Sequence, residues 1–176
     1  TLQSLGAKTT LVSGPTSLAE PNVEQVIKVD SADQMLEACE SSLPADIAVC
    51  AAAVADYKIA NKEIAKIKKD GSRQNIILEE NPDILERLSK RNHLRPKLVV
   101  GFAAETSNLE RNSDEKLSKK GCDWVLGNNV SENSIFNQDT NKIYFTSKLY
   151  SENWELMTKK EVAKKLCQKI SLHLNN

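Results

Sequence analysis

Net charge is missing from this sequence: 24 Lys and Arg balance 24 Asp and Glu over 176 residues. No global field therefore selects nucleic acid or an anionic membrane as partner. No apolar run approaches the ~20 residues of a membrane span, and no signal peptide opens the chain. The four cysteines, Cys39, Cys50, Cys122 and Cys167, form no C-x-x-C pair. They read as reduced thiols in a cytoplasmic protein. The two histidines, His93 and His173, lie far apart and near predicted helix ends. That argues against a His-based metal site or a Cys/His nucleophilic pair. Neither G-x-G-x-x-G nor G-x-x-x-x-G-K-[ST] occurs, which argues against a P-loop enzyme and more weakly against a dinucleotide site.

What is present is one domain's worth of alternating patterns. Residues 8–13 (KTTLVS) and 23–29 read as strands. Ser31 is a candidate N-cap for a helix to about Glu40. Residues 46–53 (DIAVCAAA) form a continuous apolar run, the pattern of a central parallel strand buried on both faces. Residues 58–73 are polar and lysine-rich, a loop or flap, and 75–78 read as a short strand. Asn81 is a candidate N-cap with Pro82 at the first helical position. The strand 97–102 (KLVVGF), a helix over 109–120 closed by Gly121, and the strand 123–126 (DWVL) follow. Residues 142–145 and 155–157 suggest a late hairpin, after which Thr158 caps an amphipathic helix. The alternation predicts an α/β fold: a doubly wound, mostly parallel Rossmann-like sheet with a late antiparallel hairpin. Residues 1–176 read as a single nucleotide-binding domain that starts on the end of a helix, so its first strand and loop are expected to be absent.

Such sheets bind ligands at the carboxyl ends of their strands. The segments that follow the predicted strands are Gly14-Pro15, Val54–Tyr57, Ala103–Thr106 and Gly127–Asn129. Ala51, Ala52, Ala53, Ala103 and Ala104 would let a flat ligand approach the backbone, and would equally serve helix-on-sheet packing. Asp56 and Glu105 are candidates for a metal, a sugar hydroxyl or a base amino group. Lys66, Lys68 and Lys69 (in KIKK), and Lys116, Lys119 and Lys120, suit either a solvated face or a polyphosphate. Lys116 and Lys120 share one helical face. The start of the helix at Asn81-Pro82-Asp83 offers N–H groups to an anion or a base edge.

Taken in order, these segments resemble one family, the bacterial phosphopantothenoylcysteine synthetases. The matching stretches are LGAKTTLVSGP (5–15), AAVADY (52–57), KIKK (66–69), NPDIL (81–85), VGFAAET (100–106), KLSKKGCDWVLGN (116–128) and F-N-x-D-x-N (136–141). The resemblance implies a phosphopantothenate–cysteine ligase of coenzyme A biosynthesis. In that reaction the carboxylate of 4′-phosphopantothenate attacks the α-phosphate of CTP, with Mg²⁺ present. The resulting acyl-cytidylate is then opened by the amine of cysteine. Carried over by motif, the nucleotide contacts would be Cys50, Ala51, Ala52, Asp56, Asn81, Pro82, Asp83, Ile84, Phe102, Lys116 and Lys120. Lys66 would be the catalytic flap lysine, itself touching the nucleotide. No metal ligands are assigned.

The resemblance also implies a homodimer, and the aromatics Tyr144, Phe145, Tyr150 and Trp154 make the late hairpin the expected interface. Family members open this domain with a strand, a Gly-rich turn and a segment resembling N-R-S-S-G-K-M-G, which this sequence does not contain. Many carry a flavin-dependent decarboxylase upstream, so a fused or associated decarboxylase is an expected partner, with no FMN in this chain. Two alternatives stand beside this reading. One is an NAD(P)-dependent oxidoreductase, which would need a Gly-rich loop outside the sequence. The other is a nucleotide-binding core without turnover.

Overall fold

A computed structural model describes residues 1–61, 75–130 and 140–175. After a 3₁₀ turn at Gln3–Leu5 come β1 (Thr10–Ser13), β2 (Gln25–Lys28), α1 (Ala32–Ser41), β3 (Ile47–Cys50), β4 (Tyr57–Ile59) and β5 (Leu78–Glu80). Then follow α2 (Ile84–Ser89), β6 (Leu98–Glu105), α3 (Leu109–Lys120), β7 (Trp124–Asn129), β8 (Thr140–Ser147), β9 (Ser151–Thr158) and α4 (Lys159–Leu174).

The main sheet has the order β3-β6-β7-β8-β9. β3, β6 and β7 run parallel, with Ile47 opposite Leu98 and Val100 opposite Trp124, and the β8–β9 hairpin closes the sheet antiparallel. This is the predicted mostly parallel sheet with its late hairpin. Side chains alternate across β6 and β7, as strand geometry demands. Leu98, Val100, Trp124 and Leu126 point to one face, where they meet Phe145, Trp154 and the Val162, Leu166 and Ile170 stripe of α4. Val99, Ala103 and Val125 point to the other, against Leu85 of α2 and Leu117 of α3. Both faces are therefore covered by helices, which is why these strands read as unbroken apolar runs.

Local chemistry explains the helix limits. Gly121 takes φ 70° as the left-handed cap that ends α3. Thr158 accepts from the Glu161 N–H while Glu161 returns a bond to the Thr158 N–H, a complete capping box for α4.

Several expectations need correction. The 46–53 run is not a doubly buried central strand. Only Ile47–Cys50 is a strand, all four residues are half-buried, and β3 is an edge of its sheet, pairing with β6 alone. β1 and β2 form a separate parallel pair, joined to β3 through the apolar layer of Val12, Ile27 and Val29 packed with Met35 and Ala38 of α1. The N-cap of α2 is Asp83 rather than Asn81, because the Asp83 carboxylate accepts the Glu86 N–H at 2.8 Å. Glu105 lies within β6, opposite Asn129, and not in a loop. Lys58 and Ile59 belong to a strand rather than a flap, and most of the 58–73 stretch lies outside the described residues. Of the hairpin aromatics proposed for an interface, Tyr144, Phe145 and Trp154 are buried in the chain's own core. Phe145 stacks on Trp154 at 5.9 Å.

Candidate functional site

Two glycines seat the helices that bring the site together. A Cβ on Gly127 would stand 2.2 Å from Ser113 Oγ and 2.8 Å from Leu109 Cδ1, so only glycine lets α3 lie this close to β7. A Cβ on Gly101 would meet Leu85 Cδ2 of α2 at 2.6 Å. With α2 and α3 pressed onto the sheet, the last turn of α3 faces the first turn of α2. Lys120 Nζ there lies 2.6 Å from Asp83 Oδ2 and 3.8 Å from Glu86 Oε2. Lys116, one turn earlier, donates to the backbone oxygen of Phe102 at 2.7 Å.

The entry to α2 is tied to the segment after β3. The Asn81 side-chain amide donates to the Ala55 oxygen at 2.9 Å, and the Asn81 N–H donates to the Asp56 oxygen at 2.8 Å. Ala51, Ala52 and Asp56 are exposed, while Cys50, Asn81, Pro82, Asp83, Phe102, Lys116 and Lys120 are half-buried and Ile84 is buried. The structure thus brings together two groups of the expected residues. Asn81 joins Asp56, and Asp83 joins Lys120, with Lys116 on Phe102 beside them. Lys66 lies outside the described residues.

The electrostatics are those of a compact mixed-charge corner. Burial pushes the Asp83 carboxyl up, but the hydrogen bonds from Lys120 and the Glu86 N–H, with the field of Lys116, hold it below its ordinary value. The hydrogen bond to Asp83 holds Lys120 above the ordinary lysine range against its partial burial, and the charges of Glu86 and Asp56 add to the effect. Burial, reinforced by Cys39, Cys122 and Asp83, pushes the Cys50 thiol up to about 12. Cys50 is therefore a neutral wall of the corner and not a nucleophile at neutral pH. Glu105 is engaged elsewhere, accepting from the Asn112 side chain at 2.7 Å.

α2 has six residues, and Asp83 already occupies its open N–H end, so the helix start is not an anion site. The residue that sequence reasoning missed is Glu86. Its spacing of three from Asp83 puts both carboxylates on one side of α2, which was the available signal. Among the described residues no group of three or more His, Cys, Asp or Glu converges to hold a metal ion.

Residues 1–173 match the DNA/pantothenate metabolism flavoprotein C-terminal domain family. The chain belongs to that family. It is 37% identical over 166 residues to the coenzyme A biosynthesis bifunctional protein CoaBC of Haemophilus influenzae, covering 94% of this chain and 41% of that protein. The CoaBC of Bacillus subtilis is 34% identical over 171 residues, 95% of this chain and 42% of that protein. The chain thus spans about two fifths of the length of these relatives. Among solved structures, the C-terminal domain of a CoaBC superposes with a TM-score of 0.78 at 31% identity, over 99% of this chain and 78% of that one. This confirms the Rossmann-like domain.

Proposed function

We propose that the chain is the synthetase unit of coenzyme A biosynthesis, a phosphopantothenate–cysteine ligase that uses CTP. The observation that carries the reading is the corner in which Lys120 pairs with Asp83 and Lys116 donates to the Phe102 oxygen, while Asn81 is tied to Ala55 and Asp56 in the segment after β3. Membership of the family and similarity to CoaBC proteins support the reaction class.

Ala51 and Ala52 carry no side chain beyond Cβ to hold off a flat base, so a pyrimidine ring can lie against the backbone. Lys116 and Lys120 are compact donors suited to the phosphates. The Phe102 oxygen accepts from Lys116, and Asp83 with Glu86 balances the charge of Lys120. An arriving triphosphate competes for those ammonium groups. The carboxylate of 4′-phosphopantothenate attacks the α-phosphorus of CTP, the bond to the β-phosphate oxygen breaks, and pyrophosphate leaves. The amine of cysteine then attacks the acyl carbon, the acyl–oxygen bond breaks, CMP leaves, and the amine proton passes to solvent. Mg²⁺ bound with the nucleotide would neutralise phosphate charge. Catalysis is by positioning and electrostatics, so a neutral Cys50 is no obstacle.

A homodimer, and a decarboxylase fused or associated upstream, belong to the same proposal. The bifunctional relatives are more than twice as long as the region matched.

Lys66 is assigned the catalytic flap role in this proposal. In an N-terminally extended enzyme supplied with 4′-phosphopantothenate, CTP and cysteine, Lys66→Ala should slow pyrophosphate release or product formation while leaving the dissociation constant of CTP nearly unchanged. Full rates in both half-reactions would remove the role. No product formation by the wild-type enzyme would remove the ligase reading.

A further inference from the structure

Glu86 stands between two lysines. One of its carboxylate oxygens, Oε1, pairs with Lys90 Nζ at 2.5 Å, and the other, Oε2, lies 3.8 Å from Lys120 Nζ. The spacing of four puts Glu86 and Lys90 on one side of α2, with the glutamate first, which is the favoured orientation for such a pair. The backbone fixes both. The Glu86 N–H donates to Asp83 Oδ1 at 2.8 Å, and the Lys90 N–H donates to the Glu86 oxygen at 2.9 Å. Lys90, Glu86 and Lys120 thus form a row of alternating charge that runs from solvent into the candidate site. Side-chain exposure falls along it, from 58% at Lys90 to 35% at Glu86 and 29% at Lys120.

The two carboxylates around Lys120 have different duties. Asp83 caps α2 with Oδ1 and pairs with Lys120 through Oδ2, so it serves the helix as well as the lysine. The Glu86 side chain links only lysines, Lys90 on one side and Lys120 on the other. Its charge draws Lys120 towards α2, and it repels any anion that approaches the same ammonium group. Lys90 offsets that charge from outside. Lys116 is handled differently, since it donates to the neutral backbone oxygen of Phe102. The row therefore acts on one of the two site lysines and leaves the other alone.

We propose that Glu86 is a positioning residue that restrains Lys120 and so limits its grip on the nucleotide, and that Lys90 relaxes this restraint from the surface of α2. The inference rests on the nucleotide reading of this corner. Neutralising Glu86 releases Lys120 to a phosphate. Removing the Lys90 charge leaves Glu86 uncompensated and holds Lys120 back. The two changes therefore act in opposite directions, and the effect of Lys90 passes through Glu86. If Glu86 only stabilised α2, its loss would weaken binding or leave it unchanged, and would not strengthen it.

Two readouts on the same variants test it: the rate at which an amine-acylating reagent labels Lys120 without nucleotide, followed by mass spectrometry, and the calorimetric affinity for Mg²⁺-CTP. Glu86→Gln should speed Lys120 labelling and tighten CTP binding, each about two- to fivefold, the range of a partly exposed ion pair. Lys90→Ala should shift both the other way by about twofold, and Lys90→Arg should match the wild type. In the Glu86→Gln background Lys90→Ala should change neither readout, which a simple loss of positive field would not reproduce. Thermal melting checks that each variant is folded. Labelling unchanged by Glu86→Gln would overturn the inference, as would weaker CTP binding in that variant or a Lys90→Ala effect that persists without Glu86. Labelling that shifts as expected, with no CTP bound even by the wild type, would overturn the nucleotide reading and leave the charge row standing.

Discussion

One half of the molecule is dry and the other wet. From β6 to β9 the sheet is sealed: Leu98, Val99, Val125, Leu126, Phe145 and Trp154 are all fully buried, and α4 locks onto the hairpin. Lys169 of α4 contributes there by bridging Glu152 at 2.9 Å and the Tyr150 hydroxyl at 2.8 Å. From β1 to β5 the strands are short: β1–β2 and β4–β5 form separate pairs, and β3 is a half-buried edge of the main sheet. The candidate site lies on the seam. The sealed half supplies rigid carriers for Lys116 and Lys120, and the open half supplies Ala51, Ala52, Asp56 and the strand end that a ligand can reach. Stability and access are thus divided between two regions, and functional surfaces belong at the less stable end of such a division.

The contrast breaks first at its strongest point. Trp154→Ala should cost about 3–5 kcal/mol of unfolding free energy, whereas Val49→Ala on half-buried β3 should cost about 1 kcal/mol, both read by denaturant titration. Similar costs at both positions would erase the distinction. Gly127→Ala comes next. Its methyl would strike Ser113 and Leu109, so α3 must shift, at roughly 1–3 kcal/mol. Because α3 carries Lys116 and Lys120, the same variant should also weaken nucleotide binding. A variant that keeps wild-type stability and affinity would show that the seat of α3 is not set there.

The smallest expected effect is electrostatic. Asp83 is held below its ordinary value, so its contribution to stability is present above the unfolded carboxylate range, near pH 4. It is lost as pH falls through the folded value. Lys120 is held above its ordinary value, so its contribution is present below the unfolded lysine range and is lost as pH rises through the folded one. The pair therefore counts in full between those limits. Asp83→Asn should flatten the acid limb of the stability–pH curve by a small amount, since both partners are about a third exposed. An unchanged acid limb would contradict the pairing.

Sequence alone made the sealed half almost fully legible. The helix over 109–120 has its predicted limits because Gly121 is an unambiguous left-handed stop, and Thr158-x-x-Glu161 is a capping box in plain letters. The open half was harder to read. An apolar run such as IAVC looks alike at a sheet centre and at an edge, and only pairing distinguishes them. Asn81 and Asp83 are equally good caps, and the choice turned on Lys120 and the Glu86 N–H, which come from tertiary packing. Lys116 and Lys120 and their shared helical face were visible in the sequence, whereas their partners, Asp83, Glu86 and the Phe102 oxygen, were not.

Calorimetric titration of the chain with Mg²⁺-CTP tests whether this corner binds CTP through Lys116 and Lys120. CTP should bind more tightly than ATP. Lys116→Ala and Lys120→Ala should each lose roughly 1.5–3 kcal/mol of binding free energy. Lys119→Ala should lose little, because Lys119 points to solvent with Glu115 at 3.6 Å. Equal or reversed affinity for ATP would contradict the nucleotide assignment, and CTP affinity unchanged in all three variants would contradict the site.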